Sequence, residues 1–346
     1  MGSRSMSHDT PRASADDSER EALRAGRAAL LDLLADVLLG ELEPPVARAL
    51  AADPALAEAL RPPSDEADVR ALRAEYARLL LLEAPAYASL YLEAPPVIGG
   101  ETARRWETTL ARIGLSALPT ERAASRDHAG LYLRALAQAE RVGASRVAQT
   151  VLAEALRWLP QYLTALQQAD PQGFYGRVAQ LAAYALGESA RAVEPPAGST
   201  APAASETPPD ALPEDDRLRT LTRWLCTPLW SGWYLTPSSL RAFAHAFGSP
   251  PGRTERAALL EQAFEASGLD ARTDELLDTL LATLDGWSAA ANDWGAQLGA
   301  WETVLADWRA RLTQTRDILT TMREEARAQA SGAPFAASDD APASEE

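Results

Sequence analysis

The stretch Gly286–Trp308, GWSAAANDWGAQLGAWETVLADW, sets tryptophan at positions 287, 294, 301 and 308, one every seventh residue. Seven residues are close to two turns of α-helix, so successive rings drift by only about 20° and stay on one stripe. Ala291, Leu298, Leu305 and Leu312 follow the four tryptophans at i+4, and Leu277, Leu280 and Leu284 extend the stripe upstream. An apolar stripe of this width reads as a helix buried along its length. The spacing predicts one long helix from about Thr273 toward Met322, bent near Gly286, Gly295 or Gly299. At least three of the four indoles should be core, with the Leu240/Phe243/Phe247 and Leu259/Leu260/Phe264 stripes as their neighbours.

The same helical period recurs upstream. Leu23, Leu30, Leu34, Val37 and Leu38 follow Ser18-Glu19-Arg20-Glu21, which has the form of a capping box. Val69, Leu72, Tyr76, Leu79 and Leu80 mark a second helix, and Val147, Val151, Ala155, Trp158, Tyr162 and Leu166 a long one that Pro160 should kink. Phe174, Val178, Leu181 and Ala185 mark a further one, and Thr236 with Pro237 reads as N-cap and first residue of another. No segment sustains a period of two, so a sheet is not expected. The fold class is all-α.

Composition narrows the function. A net charge of −16 opposes binding to nucleic acid or to an anionic membrane, and favours a basic ligand. All 33 basic residues are arginine, which removes Schiff-base and phosphate-loop lysines. One cysteine, Cys226, excludes an internal disulfide, and no Cys/His spacing suggests a metal site. We therefore expect no cofactor and no metal, no membrane insertion, and a cytoplasmic location, because no secretion signal or spanning segment is evident.

The run from Glu194 to Asp216, EPPAGSTAPAASETPPDALPEDD, reads as a linker. The expected organisation is a polar tail over 1–16, a helical bundle over 17–190, the linker over 191–213, a smaller tryptophan-rich helical domain over 214–326 and an acidic tail over 327–346. Inside the bundle, the segment from Glu83 to Glu101 stands out as a long loop with Pro85, Tyr87, Tyr91, Pro95, Pro96 and the pair Gly99-Gly100. Loops of this length in compact helical domains are often functional.

Five pieces in series, Glu75–Leu81, Pro85–Leu92, Asp127-His128, Arg157–Leu163 and Phe174–Leu186, resemble the TorD/DmsD family of molybdoenzyme maturation chaperones over roughly residues 25–190. The resemblance implies a helical chaperone, not an enzyme, that binds the twin-arginine signal peptide and the apoenzyme of a DMSO-reductase-type molybdoenzyme and delays export until the cofactor is inserted. It also implies a peptide-binding site at Tyr87, Ser89 and Tyr91, then Gly99 and Gly100, then Asp127 and His128. Two features depart from the family: Ser125-Arg126 stands where a proline and an acidic residue are common, and Tyr132 stands where a carboxylate is common. Chemically, a guanidinium calls for a fixed carboxylate and aromatic walls, for which Asp127, Tyr87 and Tyr91 are suitable types. The plainer readings are that Asp127 and His128 only start a helix, that the tyrosine loop plugs the core, and that Glu75 with Arg78 is a solvated pair. The competing function is a helical adaptor for an unrelated basic and apolar segment. An Asp-His dipeptide alone is poor support for catalysis, because neighbours on a helix point about 100° apart.

Overall fold

The computed structural model describes residues 15–63, 65–116, 123–196, 217–248, 255–269 and 271–331. Both expected tails lie largely outside the described residues, and so does most of the expected linker. Every regular element among the described residues is helical, with one isolated antiparallel bridge between Tyr87 and His128. The fold is all-α.

In the first half, α1 (Ala15–Leu39) packs along α7 (Ala129–Arg141), with α10 (Phe174–Ala192) beside it. The close approach of α1 and α7 depends on Gly130, where a Cβ would meet the Leu39 side chain and the Ala35 carbonyl. Around this pair run α2 (Pro44–Ala52), α3 (Pro54–Leu60), α4 (Glu66–Tyr76), α5 (Ser89–Leu92), α6 (Glu101–Arg112), α8 (Ser145–Ala155) and α9 (Leu159–Ala169). Helix α1 starts upstream of Ser18, so the expected capping box lies within it and does not begin it. Pro160 does not kink a long helix either. It occupies the first turn of α9, where a missing N–H costs nothing, after α8 has ended at Ala155. The α4 stripe continues through a π-helical turn, Ala77–Glu83, before the chain enters the tyrosine loop.

The second half contains α11 (Arg217–Leu225), α12 (Pro228–Ser231), α13 (Pro237–Ala246), α14 (Arg256–Leu269), α15 (Thr273–Leu298) and α16 (Ala306–Ser331). Thr236 caps α13 through its hydroxyl, which accepts the Ser239 amide, as Thr-Pro at that point foretells.

The tryptophan file corrects the expectation of one long helix. Gly299 adopts φ +58°, α15 stops, and a 3₁₀ turn at Gly299–Leu305 sends α16 back along α15. Arg309 donates to the Ala291 carbonyl, Arg316 pairs with Asp285, and Arg323 pairs with Asp278, in the order of an antiparallel hairpin. On one straight helix Trp287 and Trp308 would stand roughly 30 Å apart at 1.5 Å per residue; here their ring centroids are 6.4 Å apart, edge to face.

All four tryptophans are buried, as expected. Their neighbours are partly unexpected. Trp294 Nε1 donates to Thr164 Oγ1 on α9, Trp301 Nε1 to the Val193 carbonyl just past α10, and Trp308 Nε1 to the Gly232 carbonyl. The hairpin thus packs on the first helical bundle as well as on α14, and one contiguous apolar cluster extends from Leu31 to Leu319.

Candidate functional site

The tyrosine loop and the start of α7 form a corner. The Ala129 amide donates to the Ala86 carbonyl at 2.8 Å, and the Ala88 amide to the Asp127 carbonyl at 3.0 Å. The Tyr87 ring meets the His128 ring edge-on at 5.0 Å, and the Tyr87 hydroxyl accepts the Ala124 amide at 3.3 Å. Burial raises the Tyr87 phenol above its ordinary range. His128 is the N-cap of α7, its Nδ1 accepting the Gly130 amide at 3.1 Å. That bond needs an unprotonated nitrogen, and burial lowers the His128 pKa to about 4 although the neighbouring Asp127 opposes the shift.

Asp127 is fully buried. Its Oδ2 accepts the Ser89 amide at 2.8 Å, so it secures the first turn of α5, not that of the helix it precedes. Its Oδ1 and the Ser89 hydroxyl have no hydrogen-bond partner. Tyr91 is likewise enclosed, its ring 5.7 Å from Trp158, 6.1 Å from Tyr162 and 5.2 Å from Tyr234. Burial drives its phenol well above the ordinary value, with Tyr234 and Tyr162 adding to the shift. Tyr132, the departure from the family pattern, stacks flat on Trp106 at 4.0 Å.

Gly99 and Gly100 sit nearer the surface. Gly99 adopts φ +82° close to Ser125, and Gly100 is the N-cap of α6, where a Cβ would strike the Glu93 carboxylate that accepts the Thr102 amide. Just before them, Val97 and Ile98 are about half exposed. The structure therefore gathers Tyr87, Ser89, Asp127 and His128 into one corner, leaves Tyr91 in the adjoining aromatic core, and places Gly99 and Gly100 beside an apolar rim.

Sequence reasoning missed a second carboxylate. Glu83, at the end of the π-helical turn, has a side chain only 3% exposed and faces the start of α13. Its Oε2 accepts the Ser238 amide at 2.8 Å, and its Oε1 accepts the Ser238 hydroxyl and Arg241 Nη2, both at 2.7 Å. Nearby, the Arg256 guanidinium lies 4.1 Å over the Tyr234 ring, which also packs on the Tyr91 ring. The one available sign was an acidic residue closing the leucine run of RLLLLE, and it says nothing about a partner 155 residues away.

The described residues contain no cluster of three or more His, Cys, Asp or Glu suited to a metal ion, and no helix long and apolar enough to cross a membrane. Cys226 is buried and its thiol is raised to about 11, which suits packing and not nucleophilic attack.

Residues 20–170 match the model of the nitrate reductase delta subunit family. That family consists of maturation chaperones for redox enzymes, which act on molybdoenzyme subunits and are not catalysts. The match contains the whole corner and Glu83, and excludes α11 to α16. No curated protein and no solved structure gave a significant match.

Proposed function

We propose that this chain is a cytoplasmic maturation chaperone whose 17–190 bundle binds the twin-arginine signal peptide of a DMSO-reductase-type molybdoenzyme, together with its apoenzyme, and delays export until the cofactor is inserted. The observation that carries the reading is the corner itself. Tyr87 and Ser89 from the tyrosine loop meet Asp127-His128 from the start of α7 within the segment matched by the chaperone family, and Gly99 lies close to Ser125. In this reading Asp127 and His128 are positioning residues that hold the tyrosine loop, and the peptide's apolar part lies on the rim of Val97 and Ile98. The net charge of −16 favours encounter with a basic peptide.

The test is calorimetric titration of the full chain with a synthetic peptide that carries two adjacent arginines ahead of an apolar stretch. Micromolar or tighter binding is expected, weakening by roughly tenfold or more when both arginines become alanine. Equal affinity for both peptides would replace this reading with that of a general helical adaptor.

A further inference from the structure

Glu83 is held in an unusual way for a structural carboxylate. All three of its donors belong to α13, outside the segment that matches the chaperone family. Two of them, the Ser238 amide and hydroxyl, are fixed by the capped first turn of α13. The third, Arg241, has a side chain that is 56% exposed even while its guanidinium is bonded to Glu83. Arg241 can therefore leave for water with little desolvation to reverse, whereas Glu83 itself cannot be left uncompensated at such burial.

The same face carries a second arginine from the second half of the chain. Arg256 stacks on Tyr234 and donates its Nε to the Leu235 carbonyl at 2.9 Å, while Tyr234 packs on Tyr91. One arginine on a carboxylate and another over aromatic rings are the two strong ways of holding a guanidinium. Behind Tyr234, in the core around Tyr91, the Tyr91 and Tyr162 hydroxyls and Trp158 Nε1 are buried without partners. Immediately before Glu83, Leu81 and Leu82 are 54% and 66% exposed, an apolar step beside the carboxylate.

We propose that Glu83 is the arginine-receiving carboxylate of this chain and that Arg241 is its internal occupant. An incoming segment with an arginine next to apolar residues displaces Arg241. The incoming guanidinium donates to Glu83 Oε1, Arg241 turns into solvent, and the residues directly flanking that arginine cover Leu81 and Leu82. No proton moves, and Ser238 keeps its hold on the other oxygen. α13 thus acts as an internal competitor that sets the affinity threshold for clients. The proposal rests on the arginine-peptide reading above and names a residue and a control that reading lacks.

The experiment titrates the same arginine-pair peptide into the full chain and into the Arg241→Ala, Arg241→Lys and Glu83→Gln variants. Removing the competitor should tighten binding by roughly tenfold in Arg241→Ala and less in Arg241→Lys, while Glu83→Gln should weaken it by a similar factor. Arg241 is a surface side chain, so its variants stay informative even if Glu83→Gln unfolds. In the wild type, the Nε–H resonance of Arg241 should move to its solvent position as peptide is added. Arginine-dependent binding that is identical in wild type and Arg241→Ala, with Arg241 undisturbed, overturns the inference and leaves the corner reading in place. Absence of binding to wild type and to Arg241→Ala alike overturns both.

Discussion

Asp127 accepts the Ser89 amide from 38 residues away within one bundle, whereas Glu83 accepts two groups of Ser238 and the Arg241 guanidinium from more than 150 residues downstream. Both carboxylates are buried, and both take a backbone N–H at 2.8 Å. They differ in what else reaches them. Among the described residues no ion pair reaches Asp127, whose partner is a backbone N–H in the corner. Glu83 faces a replaceable side chain at a joint between two halves of the chain. The comparison teaches that burial of a carboxylate does not define its role. A backbone partner makes it a brace, and an exposed charged partner makes it a place where ligands can compete.

The largest expected effect tests the joint. Trp301 is fully buried and bonded to the Val193 carbonyl, so Trp301→Ala should cost about 3–5 kcal/mol and lower the melting temperature of both halves in one transition. If the second half melted alone, with the first half unaffected, the Glu83 joint would lose its apolar support.

Next comes the pH dependence of the corner. The His128 pKa is about 4 in the folded chain against 6.5 in the unfolded one. Above 6.5 both states hold neutral imidazole and this group contributes no slope. As pH falls from 6.5 toward 4, only the unfolded state takes up the proton, so stability declines, by about 3 kcal/mol over that window. Below 4 the slope from this group ends. Denaturant melts at stepped pH should show the decline in the wild type and its loss in His128→Gln.

Asp127→Ala should be somewhat milder. It strands the Ser89 amide, at about 1–3 kcal/mol, and the folded variant should bind an arginine-pair peptide within roughly twofold of wild type. A large affinity loss with unchanged melting would make Asp127 the arginine carboxylate and break the contrast with Glu83. The smallest effect belongs to the exposed Glu75–Arg78 pair, at 2.6 Å with both side chains over 40% exposed. Arg78→Ala should change stability by less than about 1 kcal/mol in urea titration.

Part of the site was legible because local chemistry specifies it. His128 as a helix start and Thr236-Pro237 as a cap both follow from residue type and near neighbours. The target of Asp127 was not legible, because a carboxylate next to a helix start suits its own helix as well as a loop brought in from elsewhere. Glu83 was invisible for the same reason: its partners are set by how α13 docks.

The sequence by itself determined an all-helical chain with buried indoles, since the period of apolar residues fixes both the helix and the face it must hide. Only the tertiary structure decided where those faces meet. A seven-residue repeat is equally regular on a straight helix and on two arms of a hairpin, and the choice fell to Gly299, where a positive φ lets α16 turn back and bring Trp308 to Trp287. The pairing of Glu83 with Arg241 was decided at the same level, because periodicity carries no information about contacts between distant segments, and packing does.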